Sequence, residues 1–342
     1  GRRRTRVAQH RGRPLTEPET RPTHTWDGEP IAPDDPIGST VVVRRPIDGG
    51  WEFLLLHRAH HGPDYAGDWA WTPPAGCRRP GEPVLTGVVR ELAEETGIAA
   101  TPWAVDLTGR WATWALTVPA DTPVVLDAEH DRFEWVSAEV AAPRIRPADV
   151  AKPIGKVEAM PEVDIVFRPM TRDDLPMFVG WQLAPHARRW FHAGRMIQAE
   201  AERRYGPRID GDVPTRMWVA QLDGRDAGMI QDYRVADHAD YAEKTRDPEA
   251  AAFDYLIGDP DLVGRGIGTR MISQFLREQL RPAYPDAPRF IASPDHRNRP
   301  SLRLLEKLGF RPGLWIDEPA TSEYDPPETE IVCTLDVAHW YG

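Results

Sequence analysis

The stretch GCRRPGEPVLTGVVRELAEETGI, residues 76–98, decides the fold of the N-terminal half of the chain. Its prolines and early glycines exclude a helix before about Val84, whereas the apolar residues that follow recur at helical spacing. Gly97 is suited to the left-handed conformation that ends many helices. The stretch therefore predicts a loop, a helix with one buried stripe, and a second loop.

Three carboxylates lie on one face of the predicted helix. Glu91, Glu94 and Glu95 stand at positions i, i+3 and i+4, outside the apolar stripe, so their charges repel one another. A hard divalent cation relieves that repulsion, and Mg²⁺ or Mn²⁺ prefers oxygen ligands that it shares with water. A solvated acidic helix face is the other interpretation, and these three residues alone do not exclude it.

The spacing across the whole stretch favours the metal site. It runs Gly76, five residues, Glu82, seven residues, Arg90-Glu91, an aliphatic residue, one residue, Glu94-Glu95, one residue, Gly97 and an aliphatic residue. This pattern resembles the Nudix box at every defined position. The resemblance implies an α/β/α sandwich that hydrolyses a nucleoside diphosphate linked to another moiety, with the metal on Glu91, Glu94 and Glu95. It also implies catalytic roles for Glu94 and Arg90, with Arg90 orienting the carboxylates.

Segments flanking the box indicate one branch of the Nudix family. Residues 53–56, 71–74 and 129–130 are similar to the diadenosine-tetraphosphate hydrolase branch of the family. Ala75 and Cys77 stand where that branch has lysine and histidine, and the missing lysine removes a cation that could meet a polyphosphate. The resemblance implies a nucleotide-type substrate similar to a dinucleoside polyphosphate. Glu129 is either an additional metal or water ligand or a solvated loop acid.

Composition fits a soluble protein with two domains. The chain has 342 residues, of which 41% are hydrophobic and 13 are Trp, enough to fill two cores. We expect a cytoplasmic protein without a membrane partner, because no apolar run approaches the roughly 20 residues of a membrane span and no signal segment opens the sequence. Cys77 and Cys333 are too few and too distant in sequence for a disulfide framework or a zinc site.

The net charge of −11 is unevenly distributed along the chain. Residues 1–21 carry seven arginines against two acids, so the remainder holds 35 basic and 51 acidic residues. An acidic body argues against a nucleic acid polymer as partner and suits a cationic small molecule. We expect residues 1–38 to be a disordered or loosely attached lead-in. The oligomeric state stays open.

Strand patterns complete the N-terminal domain, which we assign to residues 39–148. Strands are predicted over 39–45, 51–58, 103–114, 115–119 and 132–136, with a helix from about Ser137. The following residues lack a clear period, so a linker is predicted over 149–162.

The second domain, residues 163–342, is predicted to mix strands and helices. Strands are expected over 163–168, 217–222, 227–235, 253–257, 289–292 and 330–335, and helices over 173–183, 185–191 and 300–308. A further helix follows a glycine-rich loop and runs to about Leu280.

The glycine-rich loop is the chemical clue in this domain. It comprises Val263, Gly264, Arg265, Gly266, Ile267, Gly268 and Thr269. Its glycines allow a tight turn that brings backbone N–H groups to the positive end of a helix, where they hold a pyrophosphate. Such a loop also fits a Rossmann turn, but no acid and second parallel strand follow at dinucleotide spacing. With Asn298 and residues 306–310 downstream, the set resembles the GNAT acyltransferases.

The GNAT resemblance implies a mixed sheet and acetyl-CoA bound by residues 263–269 and Asn298. Within that superfamily, residues 165–316 are most similar to aminoglycoside 6'-N-acetyltransferases. This implies substrate-binding roles for Trp190, Gln231, Tyr233 and Asp247, with Asp254 as catalytic base or substrate anchor and direct attack on the thioester. Residues 231–261 contain nine acids and three basic residues, a suitable lining for a small-molecule polyamine acceptor.

Two positions depart from that family. Leu305 stands where many GNAT enzymes have a tyrosine that protonates the departing thiolate, and Ser293 replaces an aspartate thought to contact the aminoglycoside. Tyr255 and Asp295 are candidate substitutes for the proton donor. The same fold branch acylates hydroxylated amines of siderophores, so the identity of the acceptor is open.

Three hypotheses follow from these patterns. The first is a bifunctional enzyme with both activities. The second is an acetyltransferase acting on a siderophore or other amine, whose Nudix domain only binds a nucleotide as sensor or scaffold. The third, motivated by Leu305, is an acyl-CoA-binding module without transfer activity.

Overall fold

The computed structural model describes residues 21–191, 195–320 and 327–342, which form two seven-stranded mixed sheets. The first sheet contains β1 (Gly38–Ile47), β2 (Gly50–Arg58), β3 (Trp71–Thr72), β4 (Ala75–Cys77), β5 (Trp103–Asp106), β6 (Trp111–Thr117) and β7 (His130–Val136). The second contains β8 (Ile165–Pro169), β9 (Arg216–Leu222), β10 (Arg225–Arg234), β11 (Ala251–Ile257), β12 (Arg289–Ala292), β13 (Arg311–Glu318) and β14 (Glu328–Asp336).

Helices cover the faces of these sheets. The N-terminal half has α1 (Val84–Thr96), α2 (Ala138–Arg144) and α3 (Lys152–Glu158), and the C-terminal half has α4 (Leu175–Leu183), α5 (Gln198–Ile209), α6 (Ala239–Thr245), α7 (Ile267–Phe275), α8 (Arg281–Ala283), α9 (Arg299–Lys307) and α10 (Val337–Trp340). A wider turn over Leu276–Leu280 joins α7 to α8. The predicted α/β class with mixed sheets is confirmed. No helix among the described residues is long and apolar enough to cross a membrane.

Alternation along the central strands makes the first domain a three-layer sandwich. On β2, Leu54 and Leu56 pack in the cluster that holds the buried stripe of α1, while Phe53 and Leu55 pack with α2 and α3. Successive side chains of a strand point to opposite faces, so a continuous apolar run such as FLLL is buried on both sides. The hairpin of β1 and β2 and the bounds of α1 agree with the prediction, and Gly97 caps α1 with φ +71°.

In the second sheet, β11 and β12 are parallel but stay paired only briefly. The sheet order is β13-β14-β12-β11-β10-β9-β8, and the register of β11 with β12 covers only Ala251 with Phe290 and Ala252 with Ile291. Beyond these pairs the two strands have no ladder contact, whereas β11 stays paired with β10 as far as Ile257. One edge of β11 is therefore open from Phe253 onward.

Several predicted elements differ from the structure. The strand expected over 103–114 is interrupted by a turn at Gly109, where φ is +80°, so it forms two antiparallel strands, β5 and β6. The helix expected over 185–191 consists of isolated turns instead, such as Trp190 N–H to the carbonyl of Ala187 at 2.8 Å. Helices α5 and α6 and strand β13 were not predicted from the sequence.

The lead-in and the linker are more structured than the sequence predicts where they are described. Residues 1–20 of the lead-in lie outside the described residues, but Ile31, Ala32 and Ile37 are buried. The predicted linker contains α3, whose Ile154 and Val157 are buried against the first sheet. Both segments therefore pack through apolar side chains that show no regular period.

The two halves of the chain pack directly against each other. The N–H of Leu107 donates to the carbonyl of Lys307 at 2.8 Å, and the guanidinium of Arg270 on α7 lies 5.1 Å from the Trp103 ring on β5. A single cluster of buried residues includes Leu92 of α1 and Ile272 of α7. The apolar core is thus shared between the two halves.

A buried arginine anchors the segment that joins the halves. The side chain of Arg44 on β1 is fully buried and donates to the carbonyls of Val157 and Met160, each at 2.7 Å. It also donates to the Glu162 carboxylate at 2.9 Å, and Arg270 contacts the same carboxylate at 3.2 Å. Burial lowers the pKa of Arg44, whereas its pairing with Glu162 opposes that shift.

We expect Arg44→Met to lower the free energy of unfolding by about 2–6 kcal/mol, because it leaves the carbonyls of Val157 and Met160 without their donor, at about 1–3 kcal/mol for each buried group. Arg45→Met is the matched control, since Arg45 is the next residue of β1 and pairs with Glu52 at the surface, where such pairs contribute about 0–1 kcal/mol. Urea unfolding of both variants measures the difference. Equal losses of stability would contradict the anchoring role.

Candidate active sites

The first candidate site is the carboxylate face of α1 and the loop before it. Arg90 is its centre: its Nε and Nη2 donate to Glu82 at 2.7 and 2.9 Å, and its Nη1 donates to Glu91 at 2.8 Å and to Glu94 at 2.9 Å. One guanidinium therefore fixes three carboxylates. These contacts correspond to the orienting role that the sequence analysis proposes for Arg90.

The conformation of the preceding loop depends on Gly76. A Cβ atom at this position would lie 2.0 Å from the carboxyl carbon of Glu91, so the carboxylate occupies the space that any other side chain would need. A side chain at the first position of the motif would therefore displace the Glu91 carboxylate from its place beside the β4 backbone.

The three predicted metal ligands have different environments. Glu95 is buried and accepts a 2.8 Å hydrogen bond from the Ala75 N–H, and burial holds its pKa well above the usual range. Burial also raises the pKa of Glu91, and the negative charges of the Glu94 and Glu129 carboxylates raise it further. The Glu94 side chain is 49% exposed.

Among the described residues, no three acidic, histidine or cysteine side chains converge closely enough to hold a metal ion. Glu91 and Glu94 are instead drawn to Arg90. The donor chemistry nevertheless fits Mg²⁺ or Mn²⁺, because the site offers only oxygen ligands, and burial together with the neighbouring carboxylates raises the pKa of Glu91. Release of Glu94 from Arg90 would free a ligand at the exposed edge of this site.

The second candidate site is a cavity of about 490 Å³ in the C-terminal half. Aromatic, carboxylate and hydroxyl side chains from the sheet and from α5, α6 and α9 line it. Five of the predicted site residues are among them: Trp190, Gln231, Tyr233, Asp254 and Asn298. The structure thus brings together residues that are up to 108 positions apart in sequence.

Asp254 lies on β11 at the centre of a chain of polar contacts. Its Oδ2 accepts a 2.7 Å hydrogen bond from the Gln231 amide, whose oxygen accepts from Arg208 at 2.7 Å. Burial raises the pKa of Asp254, and the Gln231 hydrogen bond and the Arg208 charge oppose that shift. The result is a fixed carboxylate that is more basic than an ordinary aspartate.

Glu330 faces the same cavity and was missed by the sequence analysis. It lies on β14 and, among the described residues, its side chain has no hydrogen bond or ion pair, unlike that of Glu318, which pairs with Lys244. Burial, with additions from the carboxylates of Asp254, Glu318 and Glu328, raises the pKa of Glu330 to about 8. A charged residue before the apolar run IVCTL is the sequence signal that could have identified it.

We expect Glu330→Gln to stabilise the protein at alkaline pH. The raised pKa means that the contribution of Glu330 to stability is fully present below pH 4.5 and is lost as the pH rises to about 8. The melting temperature of the variant should therefore exceed that of the wild type by roughly 2 °C or more at pH 9. At pH 4.5 the two proteins should melt at the same temperature. Thermal unfolding at both pH values tests this, with the exposed Glu306→Gln as control; a pH-independent difference would refute it.

Comparison of the chain with known protein families gives two matches. The model described as NUDIX domain matches residues 36–156, and the one described as acetyltransferase (GNAT) domain matches residues 170–317. The chain contains a Nudix domain and a GNAT domain. These are the domains of a Nudix hydrolase and of an N-acetyltransferase, so both family resemblances and both enzyme classes predicted from the sequence are confirmed.

The GNAT domain is similar to two proteins named aminoglycoside N(6')-acetyltransferase type 1, from Klebsiella pneumoniae and Serratia marcescens. Each is 26% identical over 149 residues, which are 43% of this chain and 73% of that protein. A solved structure of aminoglycoside acetyltransferase AAC(6')-Ib in complex with coenzyme A is 24% identical, covers 51% of this chain and 95% of its own, and has a TM-score of 0.43. A Caenorhabditis elegans (C. elegans) Ap4A hydrolase binary complex is 25% identical, covers 36% of this chain and 94% of its own, and has a TM-score of 0.30.

The glycine loop of the GNAT domain lies at the open end of β11. Gly264 and Gly266 have φ of +80° and +83°, and Gly266 caps the N-terminus of α7. Val263 and Arg265 are exposed, whereas Ile267 and Thr269 are buried, so the last two side chains hold the helix in place. A Cβ atom at Gly268 would lie within 3 Å of Leu304 and Ile257.

Asp247 is the predicted substrate-binding residue that lies apart from the cavity lining. Its carboxylate forms a two-point ion pair with Arg289 of β12. Asp247 precedes β11, whereas the glycine loop of the GNAT domain follows it. The acids between residues 231 and 261 therefore do not all line one surface.

Proposed function

We propose that the GNAT domain transfers the acetyl group of acetyl-CoA to the 6'-amino group of a polycationic, aminoglycoside-like acceptor. The observation that carries this proposal is the cavity, whose lining includes four carboxylates: Asp254, Glu318, Glu328 and Glu330. Such a lining attracts ammonium groups. The similarity of this domain to the two aminoglycoside acetyltransferases supports the choice of acceptor.

Asp254 supplies the chemistry that an amine acceptor needs. An ammonium group must lose a proton before its nitrogen can attack a thioester, and a positioned carboxylate both attracts the ammonium and accepts that proton. The raised pKa of Asp254 makes it a better acceptor, and its contact with Gln231 fixes the direction of its oxygens. The attack is direct, because Cys333 does not line the cavity and burial raises its pKa to about 11.

The open edge of β11 and the N-terminus of α7 form the proposed acetyl-CoA site. Residues 263–269 turn through two left-handed glycines, which directs backbone N–H groups toward a pyrophosphate. The unpaired edge of β11 from Phe253 onward offers backbone groups to the amide-containing arm of the coenzyme. Asn298 lines the cavity and caps α9, where its side-chain oxygen accepts a hydrogen bond from the Ser301 N–H.

We propose that the Nudix domain hydrolyses a nucleoside diphosphate derivative similar to a dinucleoside polyphosphate. Glu91, Glu94 and Glu95 would hold Mg²⁺ or Mn²⁺, which polarises a phosphate and activates water. Arg90 orients Glu91 and Glu94 and holds the loop through Glu82. Arg58 supplies a cation beside Glu95. The buried Nε of Arg58 has no hydrogen-bond partner among the described residues, so Arg58 could meet a polyphosphate in place of the lysine that this chain lacks.

One observation favours the alternative in which the Nudix domain binds a nucleotide without cutting it. Arg90 neutralises Glu91 and Glu94, and no three potential ligands converge in the described residues. In that case the GNAT domain would act alone, on a siderophore-type or other amine.

Parallel assays separate these functions. Acetyl-CoA is mixed with kanamycin-like amines, a hydroxylated siderophore amine and a simple monoamine, and thiol release is recorded. Dinucleoside polyphosphates, ADP-sugars and CoA are incubated with Mg²⁺ or Mn²⁺, and the products are separated. Thiol release with the polycationic amines supports the acetyltransferase proposal, and its absence with every amine refutes it. Nucleotide binding without hydrolysis would support the alternative for the Nudix domain.

A further inference from the structure

The residue at the family's usual proton-donor position has no donor group in this chain. Leu305 on α9 is fully buried in the apolar core, so neither its side chain nor a water beside it can reach the cavity. The thiolate that leaves acetyl-CoA in the proposed reaction must nevertheless be protonated. A different hydroxyl near α9 is the simplest source of that proton.

Tyr255 provides such a hydroxyl from the neighbouring strand. It lies where β11 is no longer paired with β12, and its hydroxyl oxygen is 2.6 Å from the Ser301 oxygen. Both residues line the cavity, together with Asn298. Ser301 is one helical turn before Leu305 on α9, so the hydroxyl pair lies on the helix side that bears the family's donor position.

Strand geometry places Tyr255 opposite to Asp254 across β11. Consecutive residues of a strand point to opposite faces, and the partners of Asp254 and Tyr255 on β10 are Gln231 and Ile230. Tyr255 shares its face with Phe253, whose ring is 6.1 Å away. A thioester along the open edge of β11 would have a carboxylate on one side for the incoming ammonium and a phenol on the other side for the departing sulfur.

We propose that Tyr255 is the residue that protonates the departing sulfur of coenzyme A, with Ser301 as its proton relay. The amine nitrogen forms a bond to the thioester carbonyl carbon, and Asp254 takes the proton that the ammonium loses. The carbon–sulfur bond breaks, and its electron pair accepts the Tyr255 hydroxyl proton. Ser301 returns a proton to the tyrosinate and takes one from water. The nitrogen gives its second proton to that water as the amide forms, and Asp254 releases the first to solvent, so one proton per turnover is released. This step rests on the proposed acetyltransferase function.

Burial keeps the phenol ready for this step. It raises the pKa of Tyr255 above the usual range, although the hydrogen bond to Ser301 opposes the shift. Tyr255 therefore stays protonated over the working pH range. Other hydroxyls of the cavity are engaged elsewhere; for instance, Tyr241 pairs with Ser293 at 2.7 Å.

The test compares Tyr255→Phe with Tyr284→Phe in the 342-residue chain. Each variant removes one phenol hydroxyl, but the Tyr284 hydroxyl donates to Asp232 at 2.8 Å and Tyr284 does not line the cavity. We expect Tyr255→Phe to lower kcat by about 10²-fold or more with an unchanged KM for acetyl-CoA, and Tyr284→Phe to leave kcat within about threefold. Ser301→Ala should give an intermediate loss, since water can replace a relay.

Chemical rescue separates a proton donor from a structural role. Small protonated buffers such as imidazolium should restore part of kcat in Tyr255→Phe as their concentration rises, and should not affect the wild type. Binding of CoA by calorimetry checks that each variant is folded. An active wild type with an equally active Tyr255→Phe, or a loss that no buffer rescues while CoA binding is weakened, would overturn the proposal. A wild type that acetylates no amine would instead refute the acetyltransferase function.

Discussion

Replacing Asp254 by Asn should reduce kcat/KM for acetyl transfer by about 10²- to 10⁴-fold, the usual contribution of a positioned proton acceptor. The amide keeps the size of the side chain and its contact with Gln231 but can neither accept the ammonium proton nor attract its charge. Thiol release from acetyl-CoA with a polycationic amine measures the effect. Asp240→Asn, an exposed change on α6 outside the cavity lining, should leave the rate unchanged.

The pH profile gives this prediction a second readout. Burial raises the pKa of Asp254, so the carboxyl is protonated and inactive at low pH and becomes active as the pH rises through that pKa. We expect the acidic limb of kcat/KM in the wild type to lie above the ordinary pKa of an aspartate, and to be absent from the residual activity of Asp254→Asn. A variant that retains full activity with the same acidic limb would exclude Asp254 as the proton acceptor.

Replacing Glu94 by Gln should reduce metal-dependent nucleotide hydrolysis by about 10²-fold or more and leave acetyl transfer unchanged. Glu94 is exposed and accepts one hydrogen bond from Arg90, so its amide removes a metal ligand without disturbing the core. Release of nucleotide products from a dinucleoside polyphosphate with Mg²⁺ measures the effect.

Glu139→Gln on α2 is the matched control for that experiment, because it makes the same chemical change at an exposed position of the same domain. Hydrolysis should persist in this control. If Glu94→Gln hydrolyses nucleotides as fast as the control does, the assignment of the carboxylates of α1 is wrong. If acetyl transfer falls together with hydrolysis, the two sites are coupled rather than independent.

The parts of the structure that could be predicted from the sequence are those set by short-range chemistry. The helix over Val84–Thr96 and its cap at Gly97 follow from proline exclusion, apolar spacing and glycine conformation, which act within a few residues. The cavity residues Asp254, Gln231 and Asn298 came instead from family resemblance, and the structure brings them into one cavity.

The parts that were missed depend on contacts between distant segments. Glu330 belongs to the cavity because β14 inserts between β12 and β13, and a strand order of this kind leaves no local signal. Asp247 was assigned to the acceptor site from its register with the aminoglycoside acetyltransferases, whereas its ion pair with Arg289, 42 residues away, could not be predicted from the sequence. The helix α3 was missed because its packing depends on Arg44, more than 100 residues earlier.

The Met160 side chain makes the segment between the two domains important for any attempt to separate them. Its terminal methyl occupies the space that a Cβ atom of Gly266 would need, at 2.2 Å, so a residue between the two domains shapes the loop that we assign to acetyl-CoA. Met160 is itself held through its carbonyl by Arg44 of the Nudix sheet. A GNAT segment excised at residue 163 would therefore lose the Met160 contact with its glycine loop, and a chimera with another Nudix domain would have to supply that contact again.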